Sequence, residues 1–366
     1  KENEFMIIGH GGNKQALADR IGCPVDEIVD MSSNLNPLGP PDFVEDVIRN
    51  NLAAVQSLPE PDAWSMRRGF AQFHGLAADR VIAGNGTTWF IYTLPLALEA
   101  KTAVIAGPTY SDYKDACRMH NVGSTLCPAG PDTGFVPDID RLDTLSDGAD
   151  LVFICNPNNP TGTLVEKEKI EYLLRRHPDT AFVVDESYLP FAEGADEISL
   201  VSDERYGNLI VLSSMSKIFR IPGLRTGFLT ASDAVARRIM AHYQPWSVNG
   251  LAQAVIRYIF DHPEKIEPFY QETRSFIQAE KAVFTEALSG VDGLELFDSA
   301  AYFNLARLTG ALRSEDFCAA IGQEKLLIRD CANFDGLSDE YVRFSLKERE
   351  INLRLARAVK EVIRHG

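Results

Sequence analysis

Short apolar runs alternate with helical stretches through the middle of the chain, and this alternation constrains the fold most. Each run is short and rich in aliphatic residues, which is typical of a buried strand rather than a helix. Strands that alternate with helices predict an α/β domain built on a mostly parallel sheet. The runs lie at Ala103–Ala106, Leu151–Cys155, Ala181–Val184 and Leu209–Leu212.

A polar side chain follows closely after each of these predicted strands. In chain order they are Tyr110, Asn159, Asp185 and Lys217. Ligands of open α/β sheets bind outside the carboxyl ends of the strands. Four chemically useful groups at one edge of one sheet therefore predict a binding site there.

Lys217 is the most informative of the four. Lysines are rarely buried without a partner, and desolvation next to another cation lowers the pKa of a lysine amine. A neutral amine can condense with an aldehyde, while the Arg225 fork and the hydroxyls of Ser214 and Ser216 can hold a phosphate. An amine beside a phosphate site is what pyridoxal phosphate requires. The alternative is a lysine that faces solvent beside an ordinary turn.

Two further groups match other parts of this cofactor. The glycine-rich turn 84–88 opens a predicted helix, so backbone amides near Gly86 and the Thr87 hydroxyl can bind the phosphate. Tyr110 can stack on the ring face. The alternatives are a plain turn and ordinary core packing.

The ring itself needs an anion and hydrogen-bond donors. Asp185 can keep the pyridine nitrogen protonated, which makes the ring an electron sink; otherwise it is a turn or cap residue. Asn159 and Tyr188 can donate to the ring hydroxyl. Because the Asn-Pro pair occurs twice, Asn156 remains an alternative to Asn159.

Composition bounds the class of protein. The 366 residues carry a net charge of 36 − 52 = −16, which argues against nucleic acid or an anionic membrane as partner. No basic patch supports a DNA-binding regulator that carries the same cofactor. No apolar run approaches the roughly 18 residues of a membrane span, and six scattered cysteines without a C-x-x-C pair suggest reduced thiols. We therefore expect a cytoplasmic protein without a metal site.

Three regions are predicted. Residues 1–40 form an N-terminal segment that packs against the small domain and the active site. Residues 41–262 form the large cofactor-binding domain. Residues 263–366 form a smaller α+β domain, with the long helix Pro263–Leu288 as the link.

Three motifs resemble those of a known family, namely Lys217 with Ser214, Ser216 and Arg225, the turn Asn159–Gly162, and Asp185 with Tyr188. They resemble the class I/II pyridoxal-phosphate aminotransferases of fold type I. Within that superfamily the chain is similar to the branch that holds histidinol-phosphate aminotransferases and threonine-phosphate decarboxylases. Several stretches favour the decarboxylases, namely His10–Asn13, Asn34–Pro40, Ile221–Arg225, Pro245–Asn249 and Leu327–Phe334.

The resemblance implies decarboxylation of L-threonine O-3-phosphate or a close phospho-amino acid, a step of cobalamin biosynthesis. The alternative is an aminotransferase that acts on histidinol phosphate or a related amino acid. It also implies a homodimer with active sites at the subunit interface. His10 and Asn36 would touch the substrate, while Arg329 and Arg343 would hold its anionic groups.

One position departs from the family pattern. Relatives usually carry a tyrosine just before a Pro-Glu or Pro-Asp turn, and its hydroxyl reaches the cofactor phosphate of the partner subunit. Leu58 occupies that position here. The sequence suggests Trp64 or Tyr113 as possible replacements for the missing hydroxyl.

Overall fold

The computed structural model describes residues 11–365. The strands are β1 (Val29–Asp30), β2 (Val81–Asn85), β3 (Thr102–Gly107), β4 (Gly123–Pro128), β5 (Leu151–Cys155), β6 (Ala181–Asp185), β7 (Leu209–Ser214), β8 (Thr226–Ala231), β9 (Leu294–Leu296), β10 (Phe303–Leu308), β11 (Leu326–Leu327), β12 (Arg329–Asp330) and β13 (Tyr341–Ser345).

The helices flank these strands. They are α1 (Lys14–Ile21), α2 (Phe43–Asn50), α3 (Trp64–His74), α4 (Thr87–Ala97), α5 (Asp112–Met119), α6 (Ile139–Ser146), α7 (Lys167–Arg176), α8 (Ala195–Ile198), α9 (Met215–Ile218), α10 (Asp233–Met240), α11 (Gly250–Asp261), α12 (Ile266–Leu288), α13 (Ser314–Gln323) and α14 (Arg349–His365).

A seven-stranded sheet forms the centre of the large unit. Its order is β2-β8-β7-β6-β5-β3-β4, and β8 runs in the direction opposite to the other six strands. The inner strand β5 is buried along its whole length, as expected for a parallel sheet covered on both faces. The prediction of a mostly parallel α/β sheet is therefore confirmed.

A second, antiparallel sheet forms the smaller unit, with the order β12-β13-β10-β9. Separately, β1 near the N-terminus pairs in parallel with β11. Residues 29–30 thus join the C-terminal unit through backbone hydrogen bonds, while the three-region division stays a prediction. The exact boundaries at 40 and 262 stay predictions.

The long helix α12 connects the two hydrophobic cores. Ile266 and Ile277 pack in the core of the large sheet, whereas Phe284 and Leu288 pack in the core of the small one. The helix begins at Ile266 rather than at Pro263, because Pro263–Lys265 forms a 3₁₀ turn ahead of it.

Some strands differ from what the local sequence pattern indicates. Residues 326–328 form one apolar run that leads directly into Arg329, but Leu326–Leu327 pairs with β1 while Arg329 joins the antiparallel sheet. Strands β4 and β8 were not predicted, since their sequences mix glycine and hydroxyl residues with apolar ones. None of the helices within residues 11–365 is long and apolar enough to cross a membrane.

Candidate active site

A cleft of about 200 Å³ lies at the carboxyl ends of the parallel strands. The alternation of strands and helices brings these ends to one edge, as the sequence predicts. The cleft is lined by most of the predicted site residues, namely Gly86, Thr87, Tyr110, Asn159, Asp185, Tyr188, Ser214, Ser216, Lys217, Arg225, Arg329 and Arg343.

Lys217 enters the cleft from the short helix α9, which follows β7. Burial lowers the pKa of its ammonium group to about 8, and the positive charges of Arg225 and Arg343 add to this effect. The negative charge of Asp185 opposes it. The amine can therefore change its protonation state near neutral pH.

The turn before α4 and the end of β7 form an anion-binding corner. Gly86 precedes α4 with φ +77° and ψ 165°, and a Cβ atom there would lie 2.7 Å from Nη2 of Arg225. Such backbone angles are essentially restricted to glycine. Only glycine therefore lets the Arg225 guanidinium approach the first turn of the helix, where backbone amides and the Thr87 hydroxyl lie.

The Ser216 hydroxyl has a different role from the predicted one of binding phosphate. Its hydroxyl donates to the carbonyl of Thr226 and accepts from the Thr226 amide, both at 3.2 Å. The hydroxyl proton is thus used to fasten α9 to β8. Ser216 lines the cleft, but its hydroxyl supports the anion-binding corner and has no hydrogen left to donate to a ligand.

Asp185 ends β6 as a buried carboxylate. The Tyr113 hydroxyl donates to its Oδ2 at 2.9 Å, and the Ser187 amide donates to its Oδ1 at 3.0 Å. Burial raises the pKa of Asp185, although these hydrogen bonds and the charge of Lys217 oppose the change. A facing cation would offset the cost of burying this charge.

Asn159, rather than Asn156, reaches the cleft. The Oδ1 atom of Asn159 accepts hydrogen bonds from Arg343 and, at 3.5 Å, from Asn34. Asn34 also donates to the Tyr188 hydroxyl at 3.3 Å. Asn156 instead bonds the backbone of Val165 at both ends of its amide, so it shapes the loop from outside the cleft.

Arg329 and Arg343 stand directly opposite each other on β12 and β13. Arg329 donates to Asn333 at 2.7 Å and stacks on Phe334, with its guanidinium carbon 5.0 Å from the ring centre. Burial lowers the pKa of Arg329, and the charge of Arg343 contributes to this shift. Arg343 donates to Asn159 and to the carbonyl of Ser32.

Asn36 is a correction to the predicted set. Its side chain is fully buried, donates to the carbonyl of Ile218 at 2.8 Å and to Thr273 at 3.1 Å, and accepts from the Leu38 amide. With its amide committed to the fold, Asn36 cannot touch a substrate. The predicted contact of His10 lies outside the described residues, although its neighbour Gly11 lines the cleft.

Several lining residues escaped the sequence analysis. They are Ser32, Ser33, Asn34, Thr88, Ser111, Cys155, Ser187, Pro222 and Phe334. Asn34 lies two residues before Asn36 in the same loop, and no local pattern tells which amide turns inward. Tyr113 was suggested from the sequence only as a replacement for the hydroxyl missing at Leu58, and it also lines the cleft.

Comparison with known proteins identifies the family. The family model "Aminotransferase class I and II" matches residues 26–359. The chain belongs to this family. Class I and II aminotransferases of this kind use pyridoxal phosphate, so the cofactor prediction is confirmed.

Two relatives show how the chain compares with other family members. It is 30% identical over 358 residues to the threonine-phosphate decarboxylase of Salmonella typhimurium, covering 97% of this chain and 96% of the relative. It is 31% identical to the adenosylcobalamin biosynthesis bifunctional protein CobDQ of Leptospira interrogans. That match covers 96% of this chain and only 41% of that longer protein.

Solved aminotransferase-family structures have the same fold. The L-threonine-O-3-phosphate decarboxylase of Porphyromonas gingivalis superposes with a TM-score of 0.82 at 32% identity, covering 92% of this chain and 100% of that one. The histidinol-phosphate aminotransferase of Clostridium acetobutylicum superposes with a TM-score of 0.84 at 27% identity, covering 92% and 99%.

The cleft fits the family cofactor by three independent observations. Gly86 leaves room for the Arg225 guanidinium at the N-terminus of α4, and the guanidinium and the helix amides together can bind a phosphate. Asp185 is a buried carboxylate whose pKa is raised by burial, while the charge of Lys217 opposes that shift. Lys217 is an amine whose pKa is lowered to about 8. A phosphate, a protonated ring nitrogen and an aldehyde are the matching partners.

Proposed function

We propose that this protein decarboxylates L-threonine O-3-phosphate, or a close phospho-amino acid, to the amino alcohol phosphate, as a step of cobalamin biosynthesis. The observation that carries the proposal is the pair Arg329 and Arg343, opposite each other on neighbouring strands at the wall of the Lys217 cleft. Like charges directly opposite on a sheet repel each other. Such a pair is stabilised when anionic groups bind to it.

The number of anionic groups favours the phospho-amino acid. Within residues 11–365, neither Arg329 nor Arg343 forms an ion pair with a carboxylate; their hydrogen bonds go to amide and carbonyl oxygens. L-threonine phosphate carries a carboxylate and a phosphate, one for each of the two planar guanidinium groups. Histidinol phosphate carries only the phosphate, so it would leave one guanidinium without a counter-charge.

The remaining site residues would hold the cofactor, which supplies an electron sink for the pair of electrons left at the substrate Cα. Gly86, Thr87, Ser214 and Arg225 would bind its phosphate, with Ser216 as their support. Asp185 would pair with the ring nitrogen, and Tyr110 would pack on the ring. Asn159 and Tyr188 would donate to the ring hydroxyl.

Lys217 moves the proton. With a pKa lowered to about 8, its ammonium form exists near neutral pH and can give a proton to Cα once carbon dioxide has left. In the alternative reaction, the aminotransferase, the amine form of Lys217 removes a proton from Cα. The same side chain serves both reactions, and the orientation of the substrate decides which bond to Cα breaks.

The relatives described above at 30% identity or more are named for threonine-phosphate decarboxylation or adenosylcobalamin biosynthesis, which supports the decarboxylase. Threonine-phosphate decarboxylases match at 30% and 32% identity, while a histidinol-phosphate aminotransferase matches at 27%. The alternative therefore remains an aminotransferase on histidinol phosphate or a related amino acid. For either enzyme we propose a cytoplasmic location.

We also propose that the enzyme works as a homodimer. Val55 and Leu58 are 69% and 76% exposed in the single chain, and exposed Leu52 and Trp246 lie in the adjoining segments. Exposed apolar residues that cluster in this way mark interaction surfaces. This surface adjoins the phosphate corner, because Asn249 donates to the carbonyl that precedes Arg225. Leu58 would then add apolar contact, not a hydroxyl, to the partner's site.

Product analysis tests the function. The cofactor-loaded protein is incubated with L-threonine phosphate, and separately with histidinol phosphate plus 2-oxoglutarate, while carbon dioxide and glutamate are measured. We expect carbon dioxide from the first mixture. Glutamate from the second mixture, with no carbon dioxide from the first, would establish the alternative.

Variants test the role of the arginine pair. Arg329→Lys and Arg343→Lys keep the charge but lose the planar fork, so each should raise the KM for the phospho-amino acid by about tenfold or more. Arg307→Lys is the matched control, since Arg307 lies on β10 of the same sheet but pairs with Glu340 outside the cleft. A KM that changes equally in all three variants would contradict the role of the pair.

A further inference from the structure

We infer that Tyr113 is a positioning residue that holds Asp185 as a carboxylate toward the cofactor ring. Its hydroxyl donates to Oδ2 of Asp185 at 2.9 Å, and its ring is 1% exposed. The sequence suggested Tyr113 as a replacement for the hydroxyl missing at Leu58. The structure commits that hydroxyl to Asp185 instead, at the end of the central strand β6.

The packing around Tyr113 leaves its hydroxyl little freedom. Its ring stacks on Phe153 of β5 with centroids 4.9 Å apart at 20°, and its edge meets Tyr110 at 5.8 Å and 88°. Tyr110 is the residue proposed to cover the ring face. Tyr113 therefore touches two groups that face the cofactor, one through a hydrogen bond and one through ring packing.

A hydrogen bond from Tyr113 favours the charged form of Asp185. Burial acts in the opposite direction and raises the pKa of this carboxyl. If a pyridine nitrogen lies opposite Asp185, the hydrogen bond from the Tyr113 hydroxyl would favour the carboxylate and so keep the proton on the ring nitrogen. The titratable groups that interact electrostatically with Asp185 are Tyr113, Cys155, Glu186, Tyr188 and Lys217.

Tyr113→Phe tests this inference, which rests on the proposed role of Asp185. The phenyl ring keeps both ring contacts and removes only the hydroxyl. We expect the dissociation constant of pyridoxal phosphate to rise by about tenfold, the usual effect of losing a hydrogen bond to a charged group. With cofactor labelled with ¹⁵N at the ring nitrogen, the NMR shift should move toward that of the neutral ring.

Tyr302→Phe is the matched control. Tyr302 is also fully buried, but its hydroxyl has no hydrogen-bond partner in the described structure. Removing it should leave the ¹⁵N shift and the cofactor affinity unchanged. An unchanged ¹⁵N shift in Tyr113→Phe would overturn the inference, whatever the change in stability measured by urea unfolding.

A double-mutant cycle separates this inference from the proposed function. In an Asp185→Asn background, Tyr113→Phe should change cofactor affinity by less than about twofold, because the coupled partner is gone. If Asp185→Asn alone leaves affinity and ¹⁵N shift intact, the role proposed for Asp185 fails. If Asp185→Asn has a large effect and Tyr113→Phe has none, only the inference about Tyr113 fails.

Discussion

Gly86→Ala is the substitution that most sharply tests the phosphate corner. Gly86 has φ +77° and ψ 165°, a region that costs a residue with a side chain about 1–3 kcal/mol. The new Cβ would also lie 2.7 Å from Nη2 of Arg225, closer than such atoms approach. The guanidinium is the free end of a flexible side chain, so it moves before the backbone does.

Two consequences of different size follow. The free energy of unfolding of the cofactor-free protein should fall by about 1–3 kcal/mol, measured with urea. Cofactor affinity should fall by about 10- to 100-fold, because the displaced Arg225 loses charge-assisted hydrogen bonds to the phosphate. Affinity is measured by titrating pyridoxal phosphate and following its absorbance.

Gly207→Ala is the matched control, since no atom lies within 4 Å of a Cβ built there and its φ is not positive. It should leave both quantities unchanged. A folded Gly86→Ala protein that binds pyridoxal phosphate as tightly as the wild type would refute the placement of the phosphate beside Arg225.

Two other predictions concern buried polar groups. Burial raises the pKa of Glu186 to about 7 from an ordinary 4.5, so its neutral form is favoured in the fold and its stabilising effect is lost as pH rises. The wild type should therefore lose about 3 kcal/mol of unfolding free energy between about pH 4.5 and pH 8, whereas Glu186→Gln should not. Urea unfolding at several pH values measures this, and a difference between the two proteins that does not change with pH would contradict it. Asn156→Ala should cost about 2 kcal/mol of stability, because it leaves the Val165 backbone unpaired, with little effect on cofactor affinity. Asn159→Ala should instead reduce cofactor affinity by about tenfold with a smaller effect on stability. If the titrations show the loss of affinity in Asn156→Ala and not in Asn159→Ala, Asn156 is the ring contact.

The sequence predicts the central sheet and its functional edge because both depend on local signals. Short apolar runs identify β5, β6 and β7, and the parallel arrangement brings the residues after them together. Asp185 follows its run directly and Lys217 follows its run within five residues, so their common cleft could be predicted without knowledge of packing.

The remaining site depends on contacts between distant parts of the chain. Whether Asn34 or Asn36 faces the cleft is decided by Ile218 and Thr273, which bind the Asn36 amide inside the fold. The hydroxyl of Ser216 is taken by the backbone of β8, a strand that the sequence did not reveal. Neither of these two sets of hydrogen bonds can be predicted from the local sequence pattern.

The position of the arginine pair also depends on contacts that the local sequence does not predict. Arg329 and Arg343 were both proposed from the sequence, yet their direct opposition depends on the register of two strands. The chain changes from one sheet to another between Leu327 and Arg329, and this change places the guanidinium beside its partner.

The central claim is that the bond from Cα to the carboxylate breaks. The most direct test is to react the cofactor-loaded protein with L-threonine phosphate in deuterium oxide and to analyse gas and product by mass spectrometry. The account predicts equal amounts of carbon dioxide and amino alcohol phosphate, with a single deuterium on the carbon that carried the carboxylate. No carbon dioxide, together with transfer of the amino group to added 2-oxoglutarate, would contradict it.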